Sequence, residues 1–255
     1  MQKVSAIIPT YNEEACIEAA IKSVLWADEI IIVDSFSTDK TLEIARKYPV
    51  RILEHEYINS AAQKNWTIPQ ASHEWIFLLD ADEVATPALI KSVQNILDKG
   101  TDIAAFWIPR INFYMGRKVR FSGWQGDAVI RLFKRDDCRY EDKHVHAEIE
   151  TKGKIGRLKQ KIEHHAYKDF SRILKKIDTY SSWKAHDRLR KTKKVTMFHL
   201  FVKPAFKFFK HYILKLGFLD GRVGFIISKL SAYDVFIRAV KMWRIQEGEY
   251  FEQNR

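Results

Sequence analysis

The sequence predicts an α/β fold, a mostly parallel sheet with helices on both faces, followed by a helical, basic, amphipathic extension. Three observations predict it. Short β-branched or apolar runs alternate with helix-length segments through the first 80 residues; three of those runs end in polar clusters; and the charge changes sign along the chain.

The strand runs are Val4 to Ile8, Glu29 to Asp34, Val50 to Leu53 and Trp75 to Asp80. Between them, Glu13 to Leu25, Thr38 to Tyr48 and Ser60 to Ala71 read as helices, the second capped by Ser37 or Thr38 with Asp39 in its first turn. Strand and helix in alternation give parallel pairing, and ligands of such sheets bind where the strands end. From Ile103 the pattern changes to aromatic-rich strands, Ile103 to Phe113, Val129 to Phe133 and His146 to Thr151, which complete the sheet as a mixed region with Gly116 to Gly126 as a loop. Beyond Lys168 the chain reads as helical, so two parts are expected, 1–165 and 166–255.

Composition sets the outer bounds. A chain of 255 residues with 46% apolar content, 10 Gly and 6 Pro buries one large core, or one domain plus an appendage, and is neither disordered nor fibrous. Cys16 and Cys138 have no metal-ligand or disulfide-framework spacing, which points to a reducing compartment. The N-terminus lacks the pattern of a secretion signal, and no uncharged apolar run approaches the roughly 20 residues a membrane span needs. A cytoplasmic protein is expected. Residues 1–150 carry 18 Lys and Arg against 23 Asp and Glu, a net −5, whereas residues 151–255 carry 25 against 9, a net +16. The basic part suits an anionic surface; nucleic acid is not the expected partner, because no recognised RNA- or DNA-binding module accompanies the charge.

Three constellations carry chemistry. Asp80-Ala81-Asp82 follows the apolar run Trp75 to Leu79, and alternate residues of an extended segment point the same way, so the two carboxylates can converge on a hard divalent ion. Such an ion would offset charge on a departing nucleotide diphosphate. The plainer reading is a solvated or helix-capping pair. Pro9-Thr-Tyr-Asn-Glu13 and Val33-Asp-Ser-Phe-Ser-Thr-Asp39 follow the first and second strands and place polar groups at the same sheet edge, either to grip a nucleotide or to cap helices.

In that order, the three strand ends resemble the GT-A fold of glycosyltransferase family 2. The resemblance rests on Ala6-Ile-Ile-Pro-Thr-Tyr-Asn-Glu-Glu14, Ile30-Ile-Ile-Val-Asp-Ser-Phe-Ser-Thr-Asp39, Ala62-Gln-Lys-Asn65 and Leu79-Asp-Ala-Asp-Glu83. It implies a Rossmann-like, mixed-sheet catalytic domain that transfers a hexose from a UDP-sugar with the help of Mg2+ or Mn2+. It further implies that Pro9, Tyr11 and Glu13 line the nucleobase and ribose pocket, with Asp34 on the base side and Lys64 beside it, Asp80 and Ala81 at the nucleotide, and Asp82 with Asp80 on the metal. The family's usual Asp-Asp-Gly-Ser is here Asp34-Ser35-Phe36-Ser37. Together with a tail reading Lys215-Leu-Gly-Phe-Leu-Asp-Gly221, Ser35 to Asp39 and Ala62 to Asn65 resemble the lipopolysaccharide core β-glucosyltransferase branch, which implies a glycolipid or lipopolysaccharide-core acceptor at the inner face of the cytoplasmic membrane.

An inverting transferase needs a general base for the acceptor hydroxyl. Tyr140-Glu-Asp-Lys-His-Val-His-Ala-Glu148 is the place to look, with Asp142 or Glu141 as base and Glu148 as a further catalytic carboxylate; the branch's Val-His-Glu reads Val-His-Ala-Glu here. His146 is either a third metal ligand beside Asp82 or a structural histidine, His164 and His165 are read as structural, and Arg131 with Gly123 to Gly126 as shaping the sugar and acceptor pocket. In the tail, His199, Lys203, Lys207, His211 and Lys215 recur every four residues among aromatics, on an amphipathic helix expected to begin at Pro204; its aromatics face either a membrane or a packing partner. The rival functions are a nucleotidyltransferase, which would want a Gly-rich loop after the first strand, and a non-catalytic scaffold that binds nucleotide-sugar and lipid.

Overall fold

The structure, a computed structural model, describes residues 2–141, 148–166, 170–189 and 192–249. The chain divides into two compact units, Met1–Ile111 with Gly126–His165, and Asn112–Gln125 with Ala166–Arg255.

The first unit is built on a mixed sheet. In chain order its elements are β1 (Val4–Thr10), α1 (Ile17–Ser23), β2 (Glu29–Asp34), α2 (Thr41–Ala45), β3 (Arg51–Glu54), α3 (Ser60–Thr67), β4 (Trp75–Leu78), β5 (Glu83–Ala85), α4 (Pro87–Lys99) and β6 (Ile103–Tyr114). After β7 (Arg117–Val119), which belongs to the second unit, come β8 (Ala128–Lys134), β9 (Cys138–Tyr140), β10 (Ile149–Thr151), β11 (Lys154–Arg157) and β12 (Ile162–His164). The sheet runs β3-β2-β1-β4-β8-β6-β12-β5, parallel from β3 to β4 and antiparallel where β8 joins β4 and β6. β9 and β10 form a separate antiparallel ribbon.

Both sheet faces are covered, which is why the central strands read as continuous apolar runs. Successive side chains of a strand alternate between faces. Ile8, Ile32, Trp75 and Phe77 therefore meet Ile17, Ile21, Leu89 and Val93 of α1 and α4, while Ile7, Ile31, Ile76 and Leu78 share the other core with Ala61, Ile68, Cys138 and Ile149. Burial pushes the Cys138 thiol up, so it behaves as a small apolar side chain.

The second unit contains α5 (Phe170–Leu189), a helical path from Phe198 that includes α6 (Lys203–Phe209), and α7 (Gly221–Gln246). Tyr114, Val119, Ile173, Val223 and Ile227 pack as one core, with Trp124 against them, and Ala185, Val195 and Met242 form another. The Asp220 carboxylate accepts from Arg120 N at 3.0 Å, Phe121 N at 2.9 Å and Ser122 Oγ at 3.1 Å, tying the turn before α7 to the segment that follows β7.

Three expectations are corrected here. The Gly116 to Gly126 stretch is not loop throughout, because β7 pairs with the end of β6. The amphipathic helix does not begin at Pro204; wide π-helical turns at Phe198–Val202 precede it, and their i→i+5 bonding accommodates a residue with no N–H to give. The sequence also reads Gly217 to Gly224 as a turn before a last helix from about Phe225 to Trp243; that helix instead runs Gly221–Gln246.

Candidate active site

Strand register brings the polar clusters to one edge. Pro9 and Thr10 of β1 lie opposite Val33 and Asp34 of β2, and Leu79 N donates to Ile7 O at 2.9 Å, so the chain segments after β1, β2 and β4 leave the sheet side by side. Pro9 costs the edge nothing, since its missing N–H falls at the strand's last pairs.

The loops after β1 and β2 are laced together. Asn12, at φ +53°, accepts from Thr38 N at 2.8 Å, and Asn12 N donates to Ser37 Oγ at 2.9 Å. Glu13 N donates to Thr41 Oγ1 at 2.8 Å. Buried Asp34 accepts from Ser37 N at 2.7 Å and Ser37 Oγ at 2.5 Å. Ser37 and Thr38, expected to cap α2, and Asp39, expected in its first turn, all lie before it; the helix starts at Thr41, whose N–H and hydroxyl reach Asp39 Oδ1. Asx- and Ser/Thr-type bonds of this kind compete with capping for the same side chains. Two aromatic rings, Tyr11 at 57% exposure and Phe36 at 56%, stand out from these two loops. Phe36 sits at φ +61°, a strained position for a bulky residue and one the sequence reading passed over.

Behind β4 lies a buried ionic cluster. Asp80 is held by Lys64 Nζ at 3.0 Å and by the Arg131 guanidinium. Arg131 also grips fully buried Glu83 through Nε and Nη2, both at 2.8 Å, and Arg110 reaches the same carboxylate at 3.4 Å while pairing with Asp127 through two bonds of 2.9 Å. Burial works against a charged Asp80, but the Arg131 and Lys64 cations outweigh it and hold the carboxyl well below the usual carboxylate range. The same carboxylates hold Arg131 well above its ordinary value, against the effect of burial. Lys64 is thus no surface lysine: it is buried, and its ammonium lies 5.2 Å from the centre of the Tyr140 ring. Arg131, expected at the sugar and acceptor pocket, is instead the anchor beneath the paired aspartates.

Ala81 is buried, and Asp82 is half-buried with His164 Nε2 at 3.5 Å from its carboxylate and its carbonyl accepting from His165 N. His164, read from sequence as structural, is thus the imidazole that the described residues bring to Asp82. His146 and Asp142 lie outside the described residues. Glu141 and Glu148 flank them, joined by Glu141 N to Glu148 O at 2.9 Å and Glu148 N to Glu141 Oε2 at 3.1 Å.

Among the described residues no three His, Cys, Asp or Glu side chains form a metal-binding set. The donor chemistry fits a different kind of ion. Mg2+ or Mn2+ bound with a nucleotide takes one or two protein carboxylates and fills its remaining positions with phosphate oxygens and water. Asp82 offers that carboxylate, while Asp80 is engaged by two cations. Among the described residues, the buried hydroxyls Thr10 Oγ1, at the end of β1, and Tyr140 Oη find no hydrogen-bond partner.

With this geometry in view, the comparisons with known proteins decide the family. The family model described as Glycosyl transferase family 2 matches residues 5–176. The chain belongs to that family. It is similar to an uncharacterized glycosyltransferase of Rickettsia felis, 26% identical over 254 residues and covering 95% of this chain and 90% of that one. It is also similar to the lipopolysaccharide core biosynthesis glycosyltransferase LpsC of Rhizobium meliloti, 27% identical over 248 residues, 94% of this chain and 92% of LpsC. Glucosyl-3-phosphoglycerate synthase from Mycobacterium tuberculosis, solved with Mn2+, UDP and glucosyl-3-phosphoglycerate, is 24% identical with a TM-score of 0.37; the match spans 44% of each chain, a likeness too partial to carry weight. This family-2 member is a glycosyltransferase, and its mixed sheet flanked by helices is the α/β class the strand-helix alternation predicts.

Proposed function

We propose that this enzyme moves a hexosyl unit, glucose by preference, from a UDP-sugar to a lipid-linked or lipopolysaccharide-core acceptor, with inversion, at the inner face of the cytoplasmic membrane. The observation that supports the reading is the arrangement after β4, where Asp80 is clamped by Lys64 and Arg131 and the half-buried Asp82 carboxylate lies 3.5 Å from His164 Nε2. The similarity to LpsC over nearly the whole chain supports the acceptor class.

Asp82 is the residue that would hold the divalent cation, with His146 as a candidate partner. The cation, when bound, supplies positive charge that stabilises the departing diphosphate. The chain's own residues do the rest. Tyr11 and Phe36 offer exposed faces for the base, Pro9 and Glu13 line the nucleobase and ribose pocket with Asp34 on its base side and Lys64 beside it, and Asp80 and Ala81 stand at the nucleotide. The orphan hydroxyls of Thr10 and Tyr140 gain partners from a polar ligand. A carboxylate of the 141–148 segment, Glu141, Asp142 or Glu148, takes the acceptor hydroxyl's proton as its oxygen attacks the anomeric carbon; the bond to the diphosphate breaks on the opposite face, which inverts the centre. No helix among the described residues is long and apolar enough to cross a membrane. The exposed aromatics between Met197 and Leu219 support peripheral attachment instead.

Purified protein incubated with UDP-glucose and Mn2+ or Mg2+ should release UDP, faster with lipid extract, and Asp82→Ala should slow this by about 100-fold or more. Release that is indifferent to the substitution would sink the assignment.

A further inference from the structure

The second unit carries a recess that nothing in the transfer reaction uses. It is lined by Arg188 near the end of α5, Thr192, His199 and Lys203 on the helical path, and Arg238 on α7, with Val235, Ala239 and Met242 as its floor. Its charge is one-sided. Among the described residues Asp234 is the carboxylate that answers these cations, and it is shared between Arg238 at 3.6 Å and Lys184 at 3.8 Å. Burial, and then Lys203, lower the His199 imidazole; burial, and then Arg188 against the pull of Asp234, lower the Arg238 guanidinium. Arg188, Lys203 and Arg238, lining one recess with so little negative charge among the described residues, are costly unless an anion joins them, and the neutral His199 imidazole adds a polar group to the same wall.

A second feature shares the recess's wall. From Thr196 to Leu219 the chain has four lysines, two histidines and no Asp or Glu, and its apolar side chains point outward: Met197 is 69% exposed, Phe201 67%, Phe206 57% and Leu214 58%. Outward aromatics on a helix free of acidic groups suit the boundary between headgroups and acyl chains, and neither water nor the packed cores of this unit account for them. His199 and Lys203 belong to both features.

We propose that the recess formed by Arg188, His199, Lys203 and Arg238 binds the phosphate of an anionic lipid headgroup while the adjoining aromatics enter the acyl layer, so that the enzyme docks through a discrete lipid site. The inference deepens the membrane reading given above and rests on it. Diffuse attraction would spread over all the basic residues; a site concentrates the effect on the four that converge.

The test is co-sedimentation of the full chain with vesicles of phosphatidylcholine alone or with phosphatidylglycerol. The wild type should bind the anionic vesicles. Arg238→Gln and Lys203→Gln should each weaken that binding about fivefold or more, Arg238→Lys should retain most of it, and Lys210→Gln, an exposed lysine outside the recess, should cost clearly less. Thermal melts establish that each variant is folded, and Lys203→Gln carries the comparison if Arg238→Gln is not. Equal losses at positions 210 and 238 overturn the site but leave membrane attachment standing. Failure of the wild type to bind either vesicle removes the membrane reading as well. Displacement by inorganic phosphate at matched ionic strength would reassign the recess to a free anion and overturn the lipid proposal.

Discussion

Arg131 shows how much rests on one side chain. Its guanidinium joins Asp80, which follows β4, to Glu83, which opens β5, so the turn bearing Asp82 is fastened at both ends. Glu83 is fully buried, and removing a buried partner leaves an uncompensated group. Arg131→Met should therefore destabilise the protein by about 3–5 kcal/mol, read from urea unfolding, and Arg131→Lys should recover only part, because an ammonium cannot reproduce the paired bonds. Asp80 makes the stability pH-dependent. Its pKa is depressed in the folded state, so its contribution is complete above the unfolded value of about 3.9 and is lost as pH falls below it. Melting temperature should drop on acidification from pH 5 to pH 2, and Asp80→Asn should flatten that slope. At this scale the sequence was partly legible. Asp80 and Asp82 are readable because they stand two positions apart after an apolar run, whereas Lys64, Arg131 and His164 come from three other elements and reveal their proximity only once the sheet order is known. His164 pairs with Glu83 across β12 and β5, a register no local pattern announces.

The elements tell a related story. β1 to β4 were legible because strands covered on both faces leave unbroken apolar runs. β5 and α4 were not assigned, although Thr86 accepts from Leu89 N, Pro87 opens the helix and Gly100 at φ +70° closes it, a complete set of start and stop signals. The polar clusters after β1 and β2 misled in a different way: residues suited to capping bind the neighbouring loop instead. Asn12→Ala removes the acceptor for Thr38 N and strains a left-handed position, so it should cost about 1–2 kcal/mol and weaken UDP binding with little change in the far-ultraviolet circular dichroism. In the second unit, a methyl group at Gly224 would overlap the Gly217 carbonyl oxygen and Asp220 Cβ. Gly224→Ala should destabilise by about 1–3 kcal/mol, seen as an earlier thermal transition.

Across the whole molecule, charge and chemistry are divided. Residues 1–150, which hold the strand-end site, carry a net −5, and residues 151–255 a net +16. An acidic part that holds the strand-end site and a basic, aromatic extension are what the proposed function, with a soluble donor and an acceptor held at a surface, calls for. Attachment of this kind weakens with salt, because exposed charges are screened over about 8 Å at physiological ionic strength. Sedimentation with anionic vesicles should fall as NaCl rises from 50 to 500 mM, with a residue of binding due to the aromatics. The charge asymmetry was legible from composition alone; the direction in which the aromatics point was not, because a stripe of Phe and Lys reads equally as core or as interface until its burial is known.

In the proposed function, Asp82 would hold the divalent ion that offsets the diphosphate's charge, while Asp80 serves as a clamped support. Isothermal titration of UDP into the protein, with and without Mn2+, tests it most directly. Wild type should bind UDP at least tenfold more tightly with the ion, and Asp82→Asn should erase that gain while keeping the ion-independent affinity. If Asp82→Asn keeps the full Mn2+-dependent gain, the ion is held elsewhere and the account is contradicted.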